Sequence, residues 1–444
     1  MVALMQGLTL QTLTLYTFWM VAAAILFVGA TRWRGRGGGR RGLLPFVFRA
    51  LPALVVFGAI AVHARARTLL PTEFVLVFDA VFIWSAVSSL AGDHPVTQAL
   101  RHRPAFRLGV RLPGQVFQAA SIMSTVWIVV MLPVRALLWG VGAEAALEAL
   151  RYADFAPILL ALASIATSSR ERPIETVRIE IAKDGPERVT PIPVERHVRR
   201  APAPSPSELR IVQITDPHLG PWQPVAKLRR HIERLVDLDP HLVLLTGDYL
   251  TYETNGSPEA LAEALSPLAP LRGRCFAVFG NHDHEAPDTV RRALAENHVE
   301  LLVDAEAIAE TPVGSVQLVG SDFVRGDLRR ERIRALLDRY PRRTGQARIL
   351  MLHDPSGFAD VPPGEVDLTL SGHTHGGHVG WVGLGLHWTV VRRFGLPDQG
   401  LFANGSNRLY VHRGTGFYGF PLRVGIPPEA SILQVDVGAP AFGG

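Results

Sequence analysis

Cysteine is almost absent from this 444-residue chain. The single thiol, Cys275, excludes an internal disulfide and, set in an apolar run, reads as a small core residue. Lysine is missing altogether before residue 173, where 16 arginines face 7 acidic side chains, a balance of +9. The residues from 173 onward hold 29 basic against 33 acidic side chains, a balance of −4. The basic excess therefore lies wholly in the N-terminal part. That argues against nucleic acid as a partner, which would need a basic face on the folded soluble part. Walker and HExxH motifs are absent, as is any internal repeat, so no sequence sign of a P-loop or a helical zinc-protease site is present.

What the first third has instead is long apolar runs. Residues 8–30 carry no charge and exceed the ~20 residues that cross a bilayer. Further runs cover 43–62 (with Arg49), 74–91 (with Asp79), 115–132 (ending at Pro133) and 155–168. They are apolar all round rather than amphipathic, which favours about five transmembrane helices over soluble ones. A cleaved signal peptide fits poorly, because no positive residue precedes the first run and more runs follow it. Arginine alternates between the loops: five in 31–42, two in 63–71, four in 93–112 and one in 139–151. The positive-inside rule then predicts a multi-pass protein of the cell membrane with its C-terminal part in the cytoplasm. The expected division is a transmembrane region over 1–170, a linker with a candidate first strand over 171–207, and a catalytic domain over 208–440. In the linker Val177, Ile179 and Ile181 alternate as in a strand, and 201–206 is a stiff proline-rich spacer.

Polar residues gather in five short segments of the C-terminal part: Asp216-Pro217-His218, Gly247-Asp248, Gly280-Asn281-His282-Asp283, His353 and Gly372-His373-Thr374-His375. Each follows a short apolar run, at 209–215, 241–246, 274–279, 348–352 and 367–371. The runs read as buried strands, with amphipathic stretches such as 226–238 and 258–268 between them. Polar ligands at the carboxyl ends of strands are the expected placement in a layered α/β fold. Carboxylates, imidazoles and one amide are the hard oxygen and nitrogen donors that a two-metal site needs. His353 alone would read as a hydrogen-bonded structural histidine; its place in the ordered set makes it a ligand candidate. His231, His284, His298, His387 and His412 lack that support and read as surface or supporting residues. Asp322 reads as a turn aspartate. Arg413 and Arg423 are candidates for gripping a phosphate bidentately.

The ordered set resembles the calcineurin-like metallophosphoesterases, whose pattern is D-x-H, G-D, G-N-H-D/E, a lone H, then G-H-x-H. The resemblance spans residues 174–437, and Tyr410 to Gly416 with Pro421-Leu422-Arg423 is similar to the membrane-associated bacterial branch. It implies an α/β fold, a two-layer β-sandwich flanked by helices, and two divalent metal ions (manganese, iron or zinc). Asp216, His218 and His375 would hold one ion, Asn281, His353 and His373 the other, and Asp248 would bridge them. His282 would protonate the leaving oxygen, with Asp283 orienting it. The chain departs from the pattern at His378, where many relatives have glutamine and which would either add a substrate contact or fill the same supporting position, and at Pro217, where leucine is common. Neither departure removes a ligand. The implied activity is hydrolysis of a phosphomonoester, phosphodiester or pyrophosphate bond. The fused spans bring in the bilayer as a partner and favour a lipid-linked phosphoester. Two other classes stay open: a metal-binding membrane receptor without turnover, and a sensor or transporter bundle that gates a hydrolase, which Arg49 and Asp79 within the spans would serve.

Overall fold

The computed structural model describes residues 43–437 apart from 93–94, 101–102, 169–170, 172, 182–183, 199–204, 252–253, 255–256, 325, 327, 417 and 419–421. The chain forms two compact units, Met1–Ala166 and Thr167–Gly444. The expected span at 8–30 and the arginine-rich loop at 31–42 lie outside the described residues.

Among the described residues of the first unit, four helical stretches are long and apolar enough to cross a membrane: Pro52–Leu69, Thr72–Ala91, Pro104–Gly140 and Glu144–Ser168. Three expected loops are largely helical. The helix Leu43–Leu69 runs through most of 63–71, the helical segments Pro95–Leu100, Pro104–Phe106 and Arg107–Arg111 fill most of 93–112, and the helix Glu144–Ala153 covers the second half of 139–151. Pro133 does not end its run but lies inside the helix Leu112–Gly140. Proline is tolerated in apolar helices because neighbouring groups satisfy the carbonyl it frees.

The packing of this unit is inverted relative to a soluble bundle. Small polar side chains are buried (Ser88, Ser121, Ser124, Thr125), while Phe74, Leu76, Val77 and Leu137 are exposed. That distribution suits helices whose outer faces meet lipid and whose contacts use small residues. Gly58 shows how close the helices come, since a Cβ there would lie 1.8 Å from the Ser121 carbonyl oxygen. Several charged groups inside the unit are paired. Arg65 donates to Asp154 at 2.9 Å, and Arg135 and Trp127 reach the same carboxylate. Asp79 meets His63 at 2.8 Å. Arg65, expected in a loop, is thus a helix residue with an internal partner.

The second unit holds fourteen strands among its described residues: β1 (Glu175–Glu180), β2 (Thr190–Ile192), β3 (Glu195–His197), β4 (Glu208–Ile214), β5 (Leu242–Leu245), β6 (Cys275–Ala277), β7 (Glu300–Leu301), β8 (Ala305–Thr311), β9 (Gly314–Gly320), β10 (Ala347–Met351), β11 (Leu368–Ser371), β12 (Gly400–Asn404), β13 (Asn407–Val411) and β14 (Ser431–Asp436). They form two seven-stranded sheets, ordered β3-β1-β14-β4-β5-β6-β7 and β2-β12-β13-β11-β10-β9-β8. The segment 171–207 contributes β1, β2 and β3 and so is built into both sheets rather than being a plain connection.

Alternation along the strands makes the layers. Ile211, Leu242, Leu244 and Phe276 from one sheet and Ile349, Met351, Leu368 and Leu370 from the other share the core between the sheets. The residues between them in sequence point outward. Val212, Ile214, Val243 and Leu245 pack on Leu228, Ile232, Leu261, Leu265, Val290 and Leu294 from the helices Val225–Val236, Pro258–Leu265 and Pro287–Glu296. Leu350 and Leu409 pack on Ile333 and Leu336 of the helix Leu328–Arg339. The result is the expected sandwich of two sheets flanked by helices. Strands buried on both faces read as continuous apolar runs, which is why they were visible in the sequence.

Candidate metal centre

Five loops at the carboxyl ends of parallel strands bring the polar segments together. Neighbours β4, β5 and β6 in one sheet lead into Asp216, Asp248 and Asn281; neighbours β10 and β11 in the other lead into His353 and His373. Nine non-glycine residues among those described have left-handed backbone, and six of them are Asp216, His218, Asp248, His373, His375 and His378. Backbone strain thus concentrates where the chain turns out of its strands, as it does at functional sites. At Gly280 a Cβ would lie 2.2 Å from Asp248 Oδ1, so only glycine lets the Asn281 loop pass that carboxylate.

Six side chains fall into two groups whose donor atoms lie within 4.8 Å of one another: Asp216, His218 and His375, then Asp248, His353 and His373. All are buried except the half-buried His373. Asp248 stands between the groups, with Oδ2 at 3.2 Å from His353 Nε2 and 3.7 Å from His218 Nε2. Neighbouring backbone orients the rings: His353 Nδ1 meets the Thr246 carbonyl at 2.6 Å, and His218 Nδ1 meets that of Leu250 at 3.2 Å. Their Nε2 atoms are left for the site, an arrangement typical of metal-ligating histidines. Asp216 is held by the Thr215 hydroxyl at 2.7 Å and the His373 N–H at 2.9 Å.

The donor set fits divalent cations. Within each group nitrogen faces nitrogen: His218 Nε2 lies 3.2 Å from His375 Nε2, and His373 Nδ1 lies 3.2 Å from His353 Nε2. The Asn281 side-chain oxygen is buried with no hydrogen-bond partner among the described residues. Crowded imidazoles, two buried carboxylates and an orphaned amide oxygen are costly unless a cation lies among them. Burial lowers His218 to about 4 and His375 well below the usual range, so both are neutral, as ligands must be. Burial would lower His353 too, but the Asp248 carboxylate outweighs it and raises that ring to about 10. Burial raises Asp216 to about 6.

Outside this cluster the expected roles divide. His282 is half-buried at the edge of the site. Its backbone N–H donates to Asp248 Oδ1 at 2.8 Å, and its ring stacks on Tyr418 at 3.9 Å between centroids. Asp283 does not orient that ring. Its carboxylate accepts the backbone N–H groups of Asp248 (2.7 Å), Tyr249 (2.8 Å) and Gly280 (2.7 Å), so it braces two ligand loops. The partner of His282 Nδ1 is Glu285, at 2.7 Å. Three-residue spacing from His282 was the only sequence sign of Glu285, and nothing in the sequence marked Tyr418. Arg413 and Arg423 do not offer a phosphate grip. Both are buried; Arg413 is committed to Glu175 at 2.6 Å and to Glu429, and Arg423 donates to the carbonyls of His375 and Arg413. His378 is half-buried with its ring 5.0 Å from that of His375. Asp322 lies just past β9, where its Oδ1 accepts the Phe323 N–H at 2.8 Å and meets His284 at 2.9 Å.

Comparison with known proteins bears on this geometry. Residues 209–377 match the family model described as calcineurin-like phosphoesterase. The phosphodiesterase YaeI of Escherichia coli is 29% identical over 236 residues, covering 51% of this chain and 82% of that protein. A transmembrane protein with metallophosphoesterase domain from Danio rerio is 29% identical over 254 residues, 52% of this chain and 54% of that one. The UDP-2,3-diacylglucosamine pyrophosphatase LpxG of Chlamydia trachomatis is 26% identical over 288 residues, 51% and 83% of the two chains.

Proposed function

We propose that this chain, whose residues 209–377 form a calcineurin-like phosphoesterase domain, is a membrane-attached hydrolase of a lipid-linked phosphoester or pyrophosphate. The observation that carries the reading is the pair of three-residue groups with the Asp248 carboxylate between them and His282 beside them. Asp216, His218 and His375 would hold one divalent ion, Asn281, His353 and His373 a second, and Asp248 both. Manganese, iron and zinc all suit these donors. Such ions supply a nucleophile at neutral pH and neutralise phosphoryl charge.

The chain's own residues do the rest. The strand ends fix the ligands, and Asp283 locks two of their loops. With Nδ1 on Glu285 and its face on Tyr418, His282 presents its other ring nitrogen to the leaving oxygen and gives it a proton. His378, beside His375, would contact the substrate. Support for a lipid-linked substrate comes from the four apolar helices among the described residues and from the activity for which the Chlamydia relative is named. The arginine alternation supports a multi-pass chain with its hydrolase in the cytoplasm. A receptor without turnover would not need His282, and that residue is present. The test is turnover by the full chain in nanodiscs, stripped of metal and resupplied with manganese, iron or zinc, against a panel of lipid and nucleotide phosphoesters. Metal-restored cleavage that favours lipid-linked members supports the reading; no cleavage of any member by the metal-loaded chain overturns it.

A further inference from the structure

We propose that residues 379–396 form a bilayer-docking platform beside the metal centre, an inference that rests on the hydrolase reading and names the surface from which its substrate is taken. Eleven large apolar or aromatic side chains are exposed in the second unit among its described residues, and eight of them lie in this one segment. They include Trp381, Leu384, Leu386, Trp388, Phe394 and Leu396, from 42% to 72% exposed. Soluble proteins seldom leave so much apolar surface contiguous without a partner for it.

The segment is built, not loose. Backbone bonds close it as a hairpin, from Trp381 N–H to the Trp388 carbonyl at 3.0 Å and from Val390 N–H to the Val379 carbonyl at 3.0 Å. Its base is polar and buried. Asp398 accepts from the Thr389 hydroxyl and from Arg392 Nε at 2.9 Å, and its own carbonyl accepts from the Thr374 hydroxyl at 2.5 Å. Thr374 lies between His373 and His375. The polar anchors therefore tie the apolar display directly to the loop that carries two ligand candidates.

Charge selects lipid as the occupant. Residues 379–397 contain no acidic side chain, although the chain from 173 onward is net acidic. Arg392 is spent on Asp398, and Arg393 is exposed with no ion pair among the described residues. Tryptophan, leucine and phenylalanine with exposed arginine are what an anionic bilayer surface recognises.

The test uses the full chain in phosphatidylglycerol–phosphatidylethanolamine vesicles. Leu384→Cys carries an environment-sensitive NBD label, and Leu328→Cys, an exposed apolar site outside the segment, carries the control label; the native Cys275 is buried. The label at 384 should lose fluorescence to doxyl-labelled lipid and resist aqueous iodide, and the label at 328 should do the opposite. A label at 384 quenched by iodide alone overturns the proposal. So does one shielded from both quenchers, which would mean that protein covers the segment. Hydrolysis of soluble bis(p-nitrophenyl) phosphate with added manganese is read on the same vesicles. Turnover with an aqueous label at 384 sinks the platform and leaves the hydrolase standing; a lipid-quenched label without turnover does the reverse.

Discussion

Asp283 separates a scaffold from a catalytic partner, and substituting it should reveal which it is. Its carboxylate is fully buried and takes three backbone N–H groups, all between 2.7 and 2.8 Å, from the loops of Asp248 and Gly280. Asp283→Ala would leave three buried donors unsatisfied at about 1–3 kcal/mol each, a total of about 3–9 kcal/mol. That is comparable with the ~5–15 kcal/mol that holds a typical domain together, so little folded protein should be recovered. Asp283→Asn is milder. Its single amide oxygen can accept two of the three N–H groups but loses the charge that strengthens them. One orphaned donor plus that weakening gives about 2–4 kcal/mol, or roughly 5–15 °C in the melting of a unit this size. Thermal unfolding of the full chain in nanodiscs, followed by tryptophan fluorescence, reads the shift; metal analysis of the folded fraction accompanies it. Turnover should fall in step with metal content. If Asp283→Asn slowed hydrolysis while melting and metal content stayed unchanged, the carboxylate would be acting on His282 and the bracing argument would be wrong.

Further outcomes follow from the same geometry. His282→Ala should keep its metal yet slow hydrolysis by roughly 10²–10⁴-fold, with a smaller loss for nitrophenyl esters, whose leaving groups need less protonation; an equal loss across leaving groups would remove His282 as the acid. In the metal-free protein Asp248 holds a proton on His353 up to about pH 10, and a metal must displace that proton. Metal affinity should therefore rise about tenfold per pH unit above neutrality and fall more steeply below about 6, where Asp216 also takes a proton; competition with a metal-buffering dye reads this, and a flat profile contradicts it. Glu429 is buried, which by itself would raise its pKa, but His412, Arg413 and Arg196 hold it well below 4.5. The stability it contributes is present above that value and is lost as pH falls. Glu429→Gln leaves two buried guanidiniums short of a carboxylate and should cost about 3–5 kcal/mol in chemical unfolding, with a weaker dependence on acid.

Much of the site was legible because metal chemistry accepts few side chains and strand ends are easy to find. The run 209–215 lies almost wholly on β4, and each ligand segment follows its strand as expected. What the sequence hid depends on distant partners. Arg413 looked like a phosphate grip because guanidiniums usually reach solvent; it is buried by Glu175, 238 residues away. The role of Asp283 is set by N–H groups of Asp248 and Tyr249, 35 and 34 residues earlier in the chain. The segment 379–396 is apolar enough to pass for core, and its exposure follows from a polar base at Asp398 that no periodicity signals. In the first unit, helix ends were misplaced because arginine at 65 reads as loop when its partner, Asp154, lies 89 residues on.

If Asp248 joins two ions in one site, electron paramagnetic resonance of the manganese-loaded full chain, with metal counted per chain on the same sample, should show two ions whose spins are coupled. In Asp248→Asn the coupling should be lost, metal content should fall and turnover should cease. Two uncoupled ions in the native chain, or an Asp248→Asn variant with both ions retained and full turnover, would contradict it.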